Sequence, residues 1–212
     1  MSIRTHVLLA WIRASLLAGA VSQPAAAHPH VWVTYHTTVM YENGAITGFD
    51  HVWTFDDMYT AMAIQGLDKN GDGVYDRNEL AELAQINMDG LKDFDYFTFA
   101  KLGEQPIKIV KPADYWLEHK DGILKLHFTA ILESPVLIDA AGFNFSVYDP
   151  SYFIAFEPEK ENPITLAASA PKGCTAGFKA ANAAATDMEL KEKLLNDAFA
   201  VELGKAQDVG AG

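Results

Sequence analysis

The chain has 212 residues, half of them hydrophobic, with 16 basic and 28 acidic residues and a formal net charge of −12. This acidic balance excludes nucleic acid and anionic lipid as expected partners and favours cations or basic proteins. Beyond the N-terminal region, no stretch approaches the roughly 20 apolar residues of a membrane helix. We therefore expect one domain with a hydrophobic core and no membrane insertion.

The first 27 residues have the features of a secretory signal peptide. Arg4 and Arg13 supply positive charge, a short apolar run follows, and Ala25–Ala27 forms a cleavage site of small residues. The run is too short and too charged to span a bilayer. We expect an exported protein whose mature chain, residues 28–212, is a single β-rich domain.

Cleavage after Ala27 would make His28 the new N-terminus, followed by Pro29 and His30. A free α-amine and an imidazole on one residue can chelate a transition metal. The familiar copper and nickel chelate needs a deprotonated amide at the second residue, and Pro29 has no N–H. An amine-plus-imidazole site remains, with His28 and His30 as candidate ligands.

Residues 30–55 are predicted to form a β-hairpin. Both arms are rich in Val, Trp, Tyr and Thr, and Asn43-Gly44 is a strong hairpin-turn signal. A two-residue turn without irregularity makes His36 face His51, with Cβ atoms about 4.5–5.5 Å apart. This pair is a candidate transition-metal site, and the alternative is that both histidines are packed, hydrogen-bonded residues beside the neighbouring aromatic rings.

A helix is predicted over residues 58–67, with Asp56 or Asp57 as its N-cap. The next twelve residues match the calcium-binding loop of an EF-hand. Gly73 stands where that loop needs a positive φ angle. The expected calcium ligands are the side chains of Asp68, Asn70, Asp72, Asp76 and Glu79 and the backbone carbonyl of Val74.

A second helix from Leu80 to about Gly90 completes the hand, so the insertion spans residues 56–91 approximately. EF-hands usually pair through the residue at loop position 8, here Tyr75, and no second loop is present in the sequence. The hand is therefore expected to pack on the β core. Extracellular calcium modules bind with Kd on the order of 10⁻⁴–10⁻³ M, so we expect a structural clamp that stays largely filled.

The rest of the chain is predicted to be mostly strands. A turn at Asp121-Gly122 places His119 on the core-facing side of its strand, as a further metal ligand or a hydrogen-bonded core histidine. Cys174, the only cysteine, is expected to be a small buried residue or a lone thiol. Further strands are predicted over residues 94–100, 106–110, 115–119, 123–129, 136–138, 142–147 and 152–156, and a helix over 187–203. The predicted fold is α+β: a sandwich-like antiparallel β core with an inserted single EF-hand and a C-terminal helix.

The chain resembles a bacterial exported family of unknown function that is often described as the periplasmic component of an uncharacterised ABC-type transport system. The resemblance rests on residues 28–32 after the signal peptide, the Asp-rich loop 68–79, residues 95–98 and residues 147–150. It implies a periplasmic protein associated with transporters of nickel, cobalt or zinc, and it implies no mechanism.

Three functions follow as hypotheses. The leading one is a periplasmic accessory protein that exchanges nickel, zinc, cobalt or copper with a membrane metal transporter, since neutral imidazoles suit these ions. The second is a structural or interaction module whose only metal is calcium. The third is a copper enzyme using a histidine brace at His28. Because no nucleophile elbow, phosphate loop or zinc helix motif is present, we expect that the protein is not an enzyme.

Overall fold

The computed structural model describes residues 29–110, 112, 114–138, 140–178 and 201–205. The predicted signal peptide and His28 lie outside these residues. The fold is α+β with a β-sandwich-like core of two sheets, as predicted. No helix in the described part of the chain is long and apolar enough to cross a membrane.

A hairpin and two helices form the first part of the fold. The hairpin consists of β1 (Val31–Glu42) and β2 (Ala45–Phe55), and the helices are α1 (Asp57–Ala63) and α2 (Ala81–Leu91). A kinked segment (Lys92–Phe97), whose residues 95–97 have positive φ angles, then leads into the next strands. These are β3 (Thr98–Leu102), β4 (Gln105–Ile107), β5 (Ile109–Val110), β6 (Tyr115–Lys120) and β7 (Ile123–Leu137). The remaining strands are β8 (Phe143–Val147), β9 (Ile154–Pro158), β10 (Ile164–Leu166), β11 (Cys174–Phe178) and β12 (Val201–Lys205).

The larger sheet has seven strands in the order β10-β1-β2-β7-β5, with β9 also beside β1 and β6 also beside β7. The pairings of β1 with β9 and β10 are parallel, and the others are antiparallel. The smaller sheet has five strands in the order β11-β12-β8-β3-β4, all antiparallel. The mixed larger sheet differs from the fully antiparallel core that the local hairpin signals suggest.

The core lies between the sheets and follows the two-residue period of the strands. On β1 the odd-numbered residues are buried, among them Val33 and Tyr35. Phe49 of β2 packs on the smaller sheet, with its ring centroid 4.3 Å from that of Phe145. Burying side chains of this size provides most of the stability of such a core.

The two helices begin and end through recognisable local chemistry. Asp56 is the N-cap of α1, and its Oδ1 accepts a hydrogen bond of 2.8 Å from the backbone N–H of Tyr59. The helix ends at Ala63, four residues earlier than predicted, and Gly66 follows with φ of 76°. Helix α2 confirms the second predicted helix within one or two residues at each end.

The register of the β1–β2 hairpin is the main correction to the sequence prediction. Glu42 pairs with Ala45 as expected, but the ladder shifts between Tyr41 and Met40, so that His36 lies opposite Val52. Because side chains alternate along a strand, this one-residue shift moves one arm to the other face. The predicted facing of His36 and His51 is therefore wrong.

The predicted C-terminal helix over 187–203 is also corrected in part. Its residues 187–200 lie outside the described residues, whereas Val201 begins β12, and Leu203 pairs with Ala176 of β11. Ladder hydrogen bonds to two neighbouring strands therefore hold the last part of this segment in an extended conformation.

At Gly48, next to the register shift, there is no space for a side chain larger than that of glycine. A Cβ atom at this position would lie 2.3 Å from the carbonyl oxygen of Ala130, which is far inside van der Waals contact. We expect Gly48→Ala to lower the free energy of unfolding by about 1–3 kcal/mol, because strand β2 or β7 must move to accommodate the methyl group.

Urea denaturation followed by tryptophan fluorescence measures this change. Gly90→Ala is the matched control, because a Cβ atom there meets nothing within 4 Å and the residue lies in α2. The control should leave stability unchanged or raise it by up to about 1 kcal/mol. Equal effects of the two substitutions would contradict the steric explanation.

Candidate metal-binding sites

The loop between α1 and α2 is organised by hydrogen bonds from its own backbone to its acidic side chains. The Asp68 carboxylate accepts from the N–H groups of Gly71 at 2.8 Å and Gly73 at 3.0 Å. The Asp72 carboxylate accepts from Val74 N–H at 2.7 Å. These bonds curl the first half of the loop around its oxygen-bearing side chains.

Glu79 closes the loop from its other end. Its Oε1 accepts from Lys69 N–H at 2.8 Å, and its Oε2 accepts from Asp76 N–H at 3.2 Å. In return, Oδ1 of Asp76 accepts from the N–H of Glu79 at 2.9 Å. The Glu79 side chain thus joins both halves of the loop, and the residue is only 7% exposed.

The backbone of the loop has the turn expected from its glycines. Gly73 has φ of 77°, which confirms the predicted positive angle, and Gly71 has φ of 73°. L-amino acids with a Cβ rarely adopt this conformation. The side chain of Val74 is exposed, so the residue contributes to the loop through its backbone.

The helices and the loop pack on the larger sheet. Leu80, Ala84 and Met88 are buried in the core, and Oγ1 of Thr60 in α1 accepts a hydrogen bond from the backbone of Leu124 in β7. At loop position 8, Tyr75 contacts His119 of β6 edge-to-face, with ring centroids 4.8 Å apart. The helix–loop–helix segment thus packs on the β core, as expected for it.

His119 therefore has a packing role. It lies on the core-facing side of β6 with Leu117, as the Asp121-Gly122 turn predicts, and its ring supports Tyr75. Next to it, the guanidinium of Arg77 lies 4.5 Å from the ring centroid of Trp116, an arrangement that favours cation–π attraction. These contacts fix the second half of the loop to strand β6.

His51 is a packed, hydrogen-bonded core residue, as in the alternative to the metal site. It is fully buried, with Nδ1 2.9 Å from Oγ1 of Thr37 and Nε2 3.2 Å from Oγ1 of Thr98. Both ring nitrogens are thus satisfied, and the residue connects the two sheets. Burial lowers the pKa of His51 to about 3, and the nearby His36 contributes to the same effect.

His36 points to the other face of the larger sheet. Its Nε2 lies 3.2 Å from Oγ1 of Thr165, and its Nδ1 lies 3.8 Å from a carboxylate oxygen of Glu159. On the same face, His127 stacks on Trp116 and has its Nε2 3.3 Å from Glu118. Each histidine thus has one carboxylate neighbour, and the two histidines belong to strands separated by β2.

The side-chain contacts of His127 on this face can be predicted from the sequence, whereas that of His36 with Glu159 cannot. The β6–β7 turn places Trp116 opposite His127, and Glu118 follows two residues later on the same face. The contact of Glu159 with His36 depends on the long-range parallel pairing of β9 with β1, for which the sequence carries no local signal.

The two remaining histidines that were predicted as metal ligands come at the N-terminal end of the mature chain. His30 is exposed, and its backbone N–H donates to the carbonyl of Phe153 at 2.8 Å. Its ring centroid lies 5.0 Å from that of Phe153. His28 precedes the described residues. In the part of the chain that the structure describes, no three histidine, cysteine, aspartate or glutamate side chains lie close enough to hold one metal ion.

The single cysteine, Cys174, is half-buried on β11 as a free thiol. This placement agrees with the expected lone thiol, and the residue is less buried than a core cysteine would be. Its strand lies at the edge of the smaller sheet, away from the predicted metal ligands of loop 68–79 in the chain and in the sheet order.

The burial of His51 generates a prediction about pH. Its folded-state pKa lies below the unfolded value of about 6.5, so the unfolded state binds the proton first and stability falls as pH drops below about 6.5. The His51 contribution should decrease by about 1.4 kcal/mol per pH unit until the folded-state pKa is reached. Urea denaturation at about pH 7 and about pH 5 measures this slope.

His51→Gln should show a flatter dependence of stability on pH than the wild-type protein. His127→Gln is the matched control, because its ring lies on the other face of the sheet, and it should keep the wild-type slope. An unchanged slope in the His51 variant would show that other groups cause the acid sensitivity.

Residues 14–212 match the family described as "Protein of unknown function (DUF1007)". The chain is 26% identical over 158 residues to an "Uncharacterized protein" of Haemophilus influenzae, covering 73% of this chain and 74% of the relative. It is 29% identical over 100 residues to the "Uncharacterized 15.5 kDa protein in trpE 3'region" of Spirochaeta aurantia, covering 47% of this chain and 70% of the relative. No solved structure matches. Since the family match spans most of the chain, the protein belongs to the DUF1007 family.

Proposed function

We propose that this protein is an exported, periplasmic module that binds calcium in loop 68–79. The ion holds the helix–loop–helix segment against β6 and β7 and so stabilises the domain. The proposed ligands are the oxygen atoms of Asp68, Asn70, Asp72, Val74, Asp76 and Glu79. All are hard donors of the kind that calcium prefers.

The observation that supports this proposal most strongly is the position of Glu79. It occupies the last position of the twelve-residue loop, where an EF-hand uses both carboxylate oxygens on the ion. Both of its oxygens already face the loop backbone, and the side chain is buried. A buried carboxylate is costly without a positive partner, and bound calcium would supply one.

The ligand set would have to draw together when the ion binds. In the described structure the carboxylates of Asp68, Asp72 and Glu79 accept hydrogen bonds from loop N–H groups. Each carboxylate oxygen has two lone pairs, so it can keep such a bond and still bind the ion. Binding of the ion would therefore require these side chains to move together, without loss of their bonds to the loop backbone.

Calcium should raise the melting temperature of the mature protein, because a ligand that binds only the folded state stabilises it by mass action. At a calcium concentration about 100-fold above Kd, the gain is about 2.7 kcal/mol. Differential scanning calorimetry with calcium, and with a chelator, measures this gain. Glu79→Gln should abolish most of it.

Glu82→Gln is the matched control. Glu82 is an exposed residue in the first turn of α2, close to the loop in sequence. It should retain the full response to calcium. A calcium response that survives in Glu79→Gln, or that magnesium reproduces at equal concentration, would refute the calcium loop.

We further propose that the module serves as an accessory of a divalent transition-metal transporter, with His28 and His30 as its metal ligands. The observation that favours this role is the exposure of His30 just before β1, where its backbone N–H bonds to the carbonyl of Phe153. His51, whose two ring nitrogens both have threonine partners, is the least suited of the other candidates, and His119 remains a weak candidate. His36, half-buried beside Glu159, remains only a weaker ligand candidate.

Titration of the purified mature protein with nickel, zinc and copper tests the accessory role. His28→Ala and His30→Ala should each weaken binding at least tenfold, since each removes one of few ligands. His127→Ala is the control and should leave affinity unchanged, because His127 lies within β7, stacked on Trp116, and is not one of the proposed ligands. Affinity that is equal in all three variants would exclude an N-terminal site.

A further inference from the structure

An apolar groove of about 470 Å³ lies where β1 begins, between α2 and the loop that follows β8. It is separate from loop 68–79, and none of the described candidate metal ligands line it, although the ring of His30 packs against Phe153. The apolar lining residues are Ile86, Leu91, Phe94, Phe97, Phe153 and Ile154.

Three lining side chains are large, apolar and open to solvent. Ile86 is 60% exposed, Phe94 is 52% exposed and Phe153 is 55% exposed. Single exposed apolar residues are common, but a cluster around one concave surface is typical of a protein-binding site. Binding energy at such sites is concentrated in aromatic residues that fill pockets.

The groove is held in shape by buried contacts beneath it. Asp149 is buried, and its carboxylate accepts from Ser151 N–H at 2.7 Å and from Ile154 N–H at 2.9 Å. On the opposite wall, Phe97 is buried with φ of 47°, a conformation that costs of order 1–2 kcal/mol. The exposed rings therefore stand on a fixed frame.

Asn87, which lines the groove, is tied to helix α1. Its Oδ1 accepts a hydrogen bond from the Tyr59 hydroxyl, whereas its Nδ2 is buried and has no partner among the described residues. The bond to Tyr59 thus holds this part of the groove against α1.

The charge around the groove defines the partner further. The two segments that form its walls, residues 81–97 and 149–154, carry one lysine and four exposed acidic residues, namely Glu82, Asp89, Asp93 and Asp95. Asp89 and Asp95 lie close enough to Tyr96 to help raise the pKa of its hydroxyl, after the larger effect of burial. This acidic rim favours a cationic partner and disfavours an anionic membrane surface.

We propose that the groove binds a basic amphipathic segment of a partner protein. Apolar side chains of the segment cover Phe94 and Phe153, and its cationic side chains meet the acidic rim. Amphipathic segments use this mode, with apolar anchors spaced along one face. The proposal requires neither calcium nor a transition metal.

A fluorescein-labelled leucine–lysine helical peptide of about 18 residues serves as the probe. Its affinity for the full mature protein is measured by fluorescence anisotropy. Phe94→Ser and Phe153→Ser should each weaken binding about tenfold, and Asp93→Asn with Asp95→Asn should weaken it severalfold. A peptide with glutamate in place of lysine should bind at least tenfold more weakly.

Matched control variants separate the groove from general attraction to an acidic protein. Leu137→Ser removes an equally exposed apolar side chain (63%) at the opposite end of the larger sheet, and Asp121→Asn removes a charge from the β6–β7 turn. Both should bind the peptide as the wild type does, and circular dichroism should show that every variant remains folded.

Equal losses in the groove and control variants would overturn the proposal. So would equal binding of the two peptides. Sedimentation with anionic phosphatidylglycerol vesicles that is lost in Phe94→Ser would also overturn it, because the groove would then be a membrane-binding surface.

Discussion

The one-residue register shift in strand β2 determines that His51 faces the core while His36 faces the other side of the sheet. It places His51 inward, between Thr37 of the larger sheet and Thr98 of the smaller one, and leaves His36 on the opposite face. A hairpin with regular pairing would put both imidazoles on one side. Because of the shift, one histidine supports the sandwich and the other lies among threonine and glutamate side chains. Neither arrangement needs a metal ion.

Local chemistry made much of the fold predictable. The hairpin turn at Asn43-Gly44, the cap at Asp56 and the turn at Asp121-Gly122 each depend on a few adjacent residues, and all occur as expected. The features that sequence reasoning missed depend on distant partners. The need for glycine at position 48 follows from the close approach of the Ala130 carbonyl on β7, which the sequence alone does not reveal. Similarly, residues 201–203 continue a helical sequence pattern but pair as part of a strand with β11.

The candidate calcium loop was the most predictable site because its chemistry lies within twelve consecutive residues. The structure shows which parts of the fold hold the loop in place. Apolar side chains of α2 are buried in the core, Tyr75 contacts His119, and Arg77 lies over the ring of Trp116. A change in the loop would thus act on β6, an edge strand with one neighbour in the described sheet. This geometry suits the stabilisation of a sheet edge better than the exposure of a hidden surface.

The position of β1 in the larger sheet also constrains how the chain can fold. Its antiparallel neighbour β2 follows after a two-residue turn, but its parallel neighbours come much later, and Thr38 bonds to Thr165 across a separation of 127 residues. The first strand of the domain therefore keeps an unpaired edge until β9 and β10 have emerged from the ribosome. Late pairing of this kind slows folding and leaves a strand edge open to other chains.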